Sequence, residues 1–109
     1  MNTFKTYNSE SIEFMGMTNV LNAAWDTIKC DNELGMIIYA DGKALEVVLN
    51  NLKDENGYGA EPWNGQSMIN TDGDLSDIRT YQNIGFLYQY IRDFAEGKNV
   101  EEIEIAYAY

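Results

Sequence analysis

The chain has 109 residues, of which 18 are acidic, seven are basic and none is histidine, so its formal net charge is −11. This composition excludes histidine-based nucleophile pairs and histidine metal ligands, and it disfavours binding to nucleic acid or anionic membranes. The single cysteine, Cys30, cannot form an internal disulfide, and no apolar run approaches the length of a membrane span. With no secretory signal in the N-terminal residues, we expect one compact acidic domain, residues 1–109, in the cytoplasm.

The first third of the chain predicts a short hairpin followed by a helix. Thr3–Tyr7 is rich in β-forming residues, residues 8–10 are turn-like, and Ser11–Met15 alternates polar with apolar side chains. A helix is expected from Thr18, as its N-cap, to about Cys30. Its apolar stripe, which predicts that the tryptophan packs in the core, comprises Leu21, Ala24, Trp25 and Ile28.

The next segment offers one clear strand and one ambiguous stretch. Leu34–Ala40 contains a short continuous apolar run, which is typical of a strand buried on both faces. Asp41-Gly42 then indicates either a tight hairpin turn or a helix cap. Helical spacing of four apolar residues favours a helix over residues 43–53, with a hairpin as the alternative. These four residues are Leu45, Val48, Leu49 and Leu52.

Residues 54–73 have no clear period and are rich in glycine, asparagine and aspartate, so we expect turns there, with one short strand at Gln66–Asn70. The longest periodic segment follows. Its apolar residues recur every three or four positions, which predicts one helix from Asp74 to Glu96, with Gly97 ending it in the left-handed conformation. They are Ile78, Tyr81, Ile84, Leu87, Tyr88, Ile91, Phe94 and Ala95.

The last eight residues, 102–109, alternate without a break and predict a half-buried strand. Ile103, Ile105, Tyr107 and Tyr109 are expected on its core side, and Glu102, Glu104, Ala106 and Ala108 on an acidic outer side. At a sheet edge, such a strand could also pair with a second copy of the chain. Together the elements predict an α+β fold, with a small, largely antiparallel sheet and about three helices packed on one face.

Patterns that would indicate catalysis or metal binding are weak. Residues 70–81 partly match a calcium-binding loop, but leucine stands where the loop needs glycine, and tyrosine where it needs glutamate. There is no glycine-rich phosphate loop and no basic stripe. We therefore expect no catalytic residue, no metal site and no cofactor, and we do not expect an enzyme.

The remaining candidate site is an acidic surface that contains aromatic side chains. Exposed tryptophan and tyrosine anchor protein interfaces, and carboxylates steer the approach of a basic partner. The second half of the chain holds eleven of the 18 acidic residues. The predicted partner-binding residues are Asp54, Glu55, Tyr58, Glu61, Trp63, Asp72, Asp74, Asp77, Glu101, Glu102 and Glu104.

Three functions are consistent with this surface. The first, by analogy of size and charge, is a phage anti-defence inhibitor that occupies the basic nucleic-acid-binding surface of a CRISPR or restriction nuclease. The second is an immunity protein that neutralises a bacterial toxin, because size and acidity fit it equally well. The third is an enzyme that uses carboxylates or a divalent metal. No direct contact with nucleic acid or membrane is expected, and a homodimer remains an open alternative.

Overall fold

The computed structural model describes residues 3–31, 33–50, 64–71, 74–81 and 83–107, with the backbone alone at residues 50, 64, 70, 71 and 74–77. Its elements, in chain order, are β1 (Thr3–Tyr7), α1 (Ser9–Met15), α2 (Met17–Cys30), β2 (Leu34–Ala40), β3 (Lys43–Asn50), β4 (Asn64–Thr71), β5 (Asp74–Tyr81), α3 (Ile84–Ala95) and β6 (Val100–Tyr107). The strands form one antiparallel sheet in the order β1-β6-β2-β3-β4-β5. The predicted α+β fold with a largely antiparallel sheet is confirmed.

The hydrophobic core combines alternate residues of the central strands with the buried sides of the helices. Met36 of β2 lies opposite Val47 of β3 and Ile105 of β6, and all three side chains are almost completely buried. The helices contribute Ile12, Val20, Leu21, Ala24, Trp25, Ile28, Leu87, Ile91, Phe94 and Ala95 to the same cluster. This alternation assigns one side of each central strand to the core and leaves the other side for a second surface.

A two-residue turn joins β2 to β3. Ala40 pairs with Lys43, and the residues between them, Asp41 and Gly42, have φ values of 51° and 78°. Two consecutive positive φ angles are what a type I′ hairpin turn requires, and Asp-Gly suits that turn. The backbone N–H of Asp41 donates to the carbonyl of Asn99 (3.3 Å), and the N–H of Asn99 donates to Asp41 Oδ1 (3.2 Å), so the turn is joined to the chain just before β6.

The prediction of a helix over residues 43–53 is wrong, and the hairpin alternative holds for the described part of that segment. Leu45, Val47 and Leu49 are completely buried, whereas Ala44 and Glu46 are only half-buried. The period of burial is therefore two rather than 3.6, and β-branched residues favour the extended form. Residues 51–53 lie outside the described residues.

The predicted single helix over residues 74–96 is in fact a strand followed by a helix. The first part, Asp74–Tyr81, pairs along β4, and α3 begins only at Ile84. Ile78 was expected on the buried helix face, but its side chain is 51% exposed on the edge strand. Ile78, Tyr81, Ile84 and Leu87 are three residues apart, so the helical spacing continues across the boundary between β5 and α3 by coincidence. Spacing along the chain does not show that β4 offers backbone groups to a neighbouring strand.

Both ends of α3 have local signals that match its observed length. The side chain of Asn83 caps the helix, with its Oδ1 accepting a hydrogen bond from the backbone N–H of Gly85 (2.8 Å). Gly97 follows the last turn with a φ of 77°, so the prediction that this glycine ends the helix in the left-handed conformation is confirmed.

The N-terminal third differs from its prediction in one element. Residues 11–15, expected as a strand, belong to α1, which the side chain of Asn8 caps by accepting a hydrogen bond from the Ser11 backbone N–H (2.9 Å). Gly16, with a φ of 89°, separates α1 from α2. The second helix therefore starts at Met17, just before the expected N-cap Thr18. Trp25 is 6% exposed and lies in the core, as predicted.

The predicted C-terminal strand is confirmed as β6. Pairing with a second copy of the chain would need this strand at an edge of the sheet, but it is not at an edge. It lies between β1 and β2, so its backbone groups already have partners on both sides. The edges of the described sheet are β1 and β5. Residues 108 and 109 lie outside the described residues.

Among the described helices, none has the length and apolar character required to cross a bilayer.

Candidate protein-binding face

The strand residues that alternate with the core-facing ones form the other surface of the sheet, which we name the second face. At its middle, Ile37 of β2 lies opposite Glu46 of β3 on one side and Glu104 of β6 on the other. Register pairs extend this row to both edges. The complete row, one residue from each of the six strands, is Thr6, Glu104, Ile37, Glu46, Met68 and Ile78.

The centre of the second face is apolar and slightly hollow. Gly35 has no side chain and lies between Val48 and Ala106, which leaves a depression beside Ile37. Ile37 is 7% exposed and Ala106 is 2% exposed, although neither belongs to the main core cluster. A shallow cavity of about 110 Å³ lies here, and its lining includes Gly35, Ile37, Glu46, Val48, Met68 and Ala106. An apolar side chain of a partner would fit such a depression better than a polar one.

Tyr39 lies beside this apolar centre, surrounded by carboxylates. It follows Ile37 on the same side of β2 and pairs with Glu102 of β6. Its hydroxyl donates to Glu104 Oε1 (3.2 Å), while Glu104 Oε2 accepts a hydrogen bond from the Thr3 hydroxyl. These two hydrogen bonds hold the Glu104 carboxylate in place on the surface of the sheet.

The electrostatic environment of Tyr39 shows that the acidic groups act together. Burial raises the pKa of the Tyr39 phenol above its ordinary value, and the negative charges of Glu104, Glu102 and Glu46 raise that pKa further. Three carboxylates from two strands therefore impose a negative potential on one phenol. Glu102 and Glu104 are two residues apart on one strand, a spacing of ~7 Å between neighbouring residues of one face.

The lysine and arginine residues of the described strands pair with residues that belong to the other side of the sheet, not to the second face. Lys5 is opposite Ile105, Lys43 is opposite Ala40, and Arg79 is opposite Ser67. Each of those three partners is a buried residue on the side of the sheet opposite to the second face. In the part of the chain that the structure describes, the second face therefore has three glutamates and no lysine or arginine.

The predicted partner-binding residues do not form one described site. Glu102 and Glu104 are half-buried on the second face, as the predicted acidic outer face requires. Glu101 is exposed at the register shift where Tyr39 pairs with Glu102 and Ala40 with Val100, so it has no residue opposite it. Ala106, expected on the same outer face, is buried, which makes that face partly apolar.

The other predicted residues lie on a distant strand or outside the described residues. The backbones of Asp74 and Asp77 belong to β5, opposite Thr71 and Ile69. Four strand spacings, ~19 Å, separate β5 from β6. Asp74 and Asp77 therefore lie four strands away from Glu102 and Glu104 in the same sheet. Asp54, Glu55, Tyr58, Glu61, Trp63 and Asp72 lie outside the described residues.

Sequence reasoning missed the polar site residues Tyr39 and Glu46, as well as the apolar residues Ile37, Val48 and Met68. The signal for Tyr39 and Glu46 was present in the hairpin alternative for Asp41-Gly42. A two-residue turn there pairs Ala40 with Lys43, and counting back along both strands brings Glu46 opposite Ile37. A helix over residues 43–53, the preferred of the two interpretations, does not have this register.

The described residues contain no group of three or more histidine, cysteine, aspartate or glutamate side chains arranged to hold a metal ion. Comparison of the chain with protein-family models, with curated proteins and with solved structures finds no match. A function is therefore inferred from the chemistry of the second face itself.

Proposed function

We propose that this protein binds the basic, nucleic-acid-binding surface of another protein through the second face and inhibits that protein by excluding nucleic acid. The observation that carries the proposal is the gathering of Glu46, Glu102 and Glu104 around Tyr39 on a surface that has no described cation. Clustered charge of one sign speeds the approach of an oppositely charged partner more than the same charges would if scattered.

The apolar centre of the second face would slow dissociation of the complex, which charge alone does little to change. Carboxylates at the edge of an interface steer the encounter, whereas buried apolar and aromatic groups slow dissociation. Ile37, Val48 and Met68 line the depression, and Tyr39 offers a ring that is already held by a hydrogen bond. A fixed tyrosine loses little conformational entropy on binding. The complementary partner surface combines lysine or arginine with at least one projecting apolar side chain.

A nuclease groove is the partner surface that best fits this chemistry, because it is shaped and charged to bind a polyanion. A small acidic domain in that groove would compete directly with DNA or RNA. The protein would therefore inhibit a nucleic-acid-binding enzyme. The carboxylates of its second face would occupy the positions at which the enzyme binds nucleic-acid phosphates.

Binding to a CRISPR nuclease and to a restriction endonuclease, measured from about 10 mM to 1 M salt, tests the proposal. We expect tight binding to at least one of them at low salt, weakening as salt rises, and inhibition of DNA cleavage that excess DNA relieves. Affinity that is indifferent to salt, or binding without inhibition, would contradict it.

A pair of matched variants separates the second face from the total charge. The first variant replaces Glu46, Glu102 and Glu104 by glutamine, and the control replaces Glu10, Glu13 and Glu33, which are exposed elsewhere. Both variants lose three carboxylates and so have the same net charge. We expect the first to associate about tenfold more slowly with the nuclease and the control to resemble the wild type. Equal losses in the two variants would assign binding to total charge and reject the second face.

A further inference from the structure

A cavity of about 430 Å³ lies between the start of α2 and the end of α3, on the helical side of the molecule. Its volume is within the range of small-molecule sites in proteins. The apolar part of its lining is Met17, Leu21 and Ala95, of which the last two are buried. The polar part is Thr18, Gln89, Arg92, Glu96 and Lys98, and Gly97 completes the lining. The lining therefore combines apolar with charged side chains.

The charge of this lining is opposite in sign to that of the whole chain. Two cations, Arg92 and Lys98, are set against one carboxylate, Glu96, so the described lining has a net charge of about +1, in a chain of net charge −11. The guanidinium of Arg92 forms no ion pair with any carboxylate of the described residues. Its five N–H donors are thus available to a bound anion.

The ammonium of Lys98 is held against Phe94, which lines a neighbouring cavity together with Asp93 and Lys98 itself. Its Nζ donates to the backbone carbonyl of Phe94 (2.8 Å) and lies 4.4 Å from the centroid of the Phe94 ring. These contacts fix the cation beside Phe94, so Arg92 is the cation of the lining that is best placed to pair with a bound anion. The first turn of α2, which contains no acidic residue, borders the same cavity and adds the positive end of a helix.

We propose that this cavity binds a small organic carboxylate with a short apolar chain, an activity separate from the proposed inhibition. The carboxylate would pair with Arg92, and the chain would cover Leu21 and Ala95. Arginine favours carboxylates because its planar donors match both carboxylate oxygens. Glu96 also lines the cavity, and its carboxylate repels a bound anion and so lowers the affinity.

Titration with octanoate, followed by two-dimensional NMR of backbone amides, tests the proposal, with octanol and acetate as comparison ligands. We expect octanoate to shift the amides of Leu21, Ala95 and Gly97, and we expect octanol and acetate each to bind at least about fivefold more weakly. Octanol binding as tightly as octanoate would reject the carboxylate site. Acetate binding as tightly would reject the apolar contribution, and the absence of any shift would reject the cavity.

Three single variants give opposite signs and a matched control. Arg92→Gln should weaken octanoate binding about fivefold, whereas Glu96→Gln should strengthen it by a similar factor. Lys29→Gln is the control, because Lys29 pairs with Asp26 at the surface (3.5 Å) and does not line the cavity. It removes one cation, as Arg92→Gln does, and should leave binding unchanged. If Glu96→Gln weakened binding, or if Lys29→Gln weakened it as much as Arg92→Gln, the site would be rejected.

Discussion

Gly65 of β4 and Leu87 of α3 approach so closely that a Cβ atom on Gly65 would lie 2.4 Å from Leu87 Cδ2. The same Cβ would lie 3.0 Å from Leu49 Cδ2. Both leucines are completely buried, so their methyl groups have little room to move aside. The absence of a side chain at one strand position therefore determines how near α3 lies to the sheet.

Gly65→Ala is expected to destabilise the protein by about 1–3 kcal/mol, the usual cost of an extra methyl group in a packed core. An alanine would also reduce the entropy of the unfolded chain, which is worth about 0.4–1 kcal/mol in the opposite direction. The backbone φ of Gly65 lies outside the left-handed region, so the clash is the main term. The free energy of unfolding in urea measures the net effect.

A double variant identifies the clash as the cause. Leu87→Ala alone should cost about 2–5 kcal/mol by opening a cavity. In the Gly65→Ala background that cost should be smaller, because the new methyl group occupies part of the vacated space. Strictly additive costs would mean that Gly65 acts through something other than Leu87.

The cap of α3 is the second contact whose loss can be predicted. Asn83→Ala removes the acceptor of the Gly85 N–H and should lower the free energy of unfolding by about 1 kcal/mol. Asn83→Asp keeps an acceptor and adds a negative charge at the start of a helix whose first turn has no acidic residue. It should therefore be at least as stable as the wild type. Equal destabilisation by both substitutions, measured in urea, would show that the cap is unimportant.

Asn83 also marks the point at which the sequence-based prediction of one long helix was wrong. Apolar spacing over Ile84–Ala95 predicted that helix correctly, because Leu87 and Ile91 point into the core. The same spacing extended the helix backwards over residues that form β5. Periodicity is a local signal, whereas the strand exists because β4 presents unpaired backbone groups to it. Asn83, a residue type that favours the helix N-cap, was the local sign that a helix could begin there.

The candidate site was predicted in part, for a similar reason. Alternation along one strand is visible in the sequence, and it correctly brought Glu102 and Glu104 together. Tyr39 and Glu46 belong to neighbouring strands, so their addition to the site depends on pairing register. Register becomes predictable only when the turn is assigned correctly. Once Asp41-Gly42 is read as a hairpin turn, both residues follow.

The contact between α2 and α3 gives the third prediction. The rings of Trp25 and Tyr88 stack with centroids 5.0 Å apart and planes inclined by 28°, and the Tyr88 hydroxyl donates to Asn22 Oδ1. Tyr88→Phe keeps the stacked ring and loses the exposed hydrogen bond, at a cost of about 0.5–1 kcal/mol. Tyr88→Leu loses the stacking as well and should cost about 0.5–1.5 kcal/mol more. Equal stability of the two variants in urea would mean that the stacking contributes nothing.

The fourth prediction concerns Tyr39 and alkaline pH. In the unfolded chain a tyrosine loses its proton near pH 10. In the folded protein burial raises the pKa of Tyr39, and the carboxylates of Glu104, Glu102 and Glu46 raise it further, so the phenol keeps its proton to higher pH. Above pH ~10 the unfolded state therefore binds fewer protons than the folded state. Stability due to Tyr39 is complete below that pH and falls as the pH rises towards the folded pKa.

Tyr39→Phe tests this sign, because phenylalanine cannot ionise. At neutral pH the variant should be less stable than the wild type by about 1 kcal/mol, since it lacks the hydrogen bond to Glu104. Above pH ~10 the wild type should lose stability faster than the variant, so the difference between their urea midpoints should shrink. Glu104→Gln, which keeps an acceptor but removes a charge, should show a smaller alkaline loss than the wild type. Parallel pH profiles for the wild type and Tyr39→Phe would contradict the negative potential on which the second face depends.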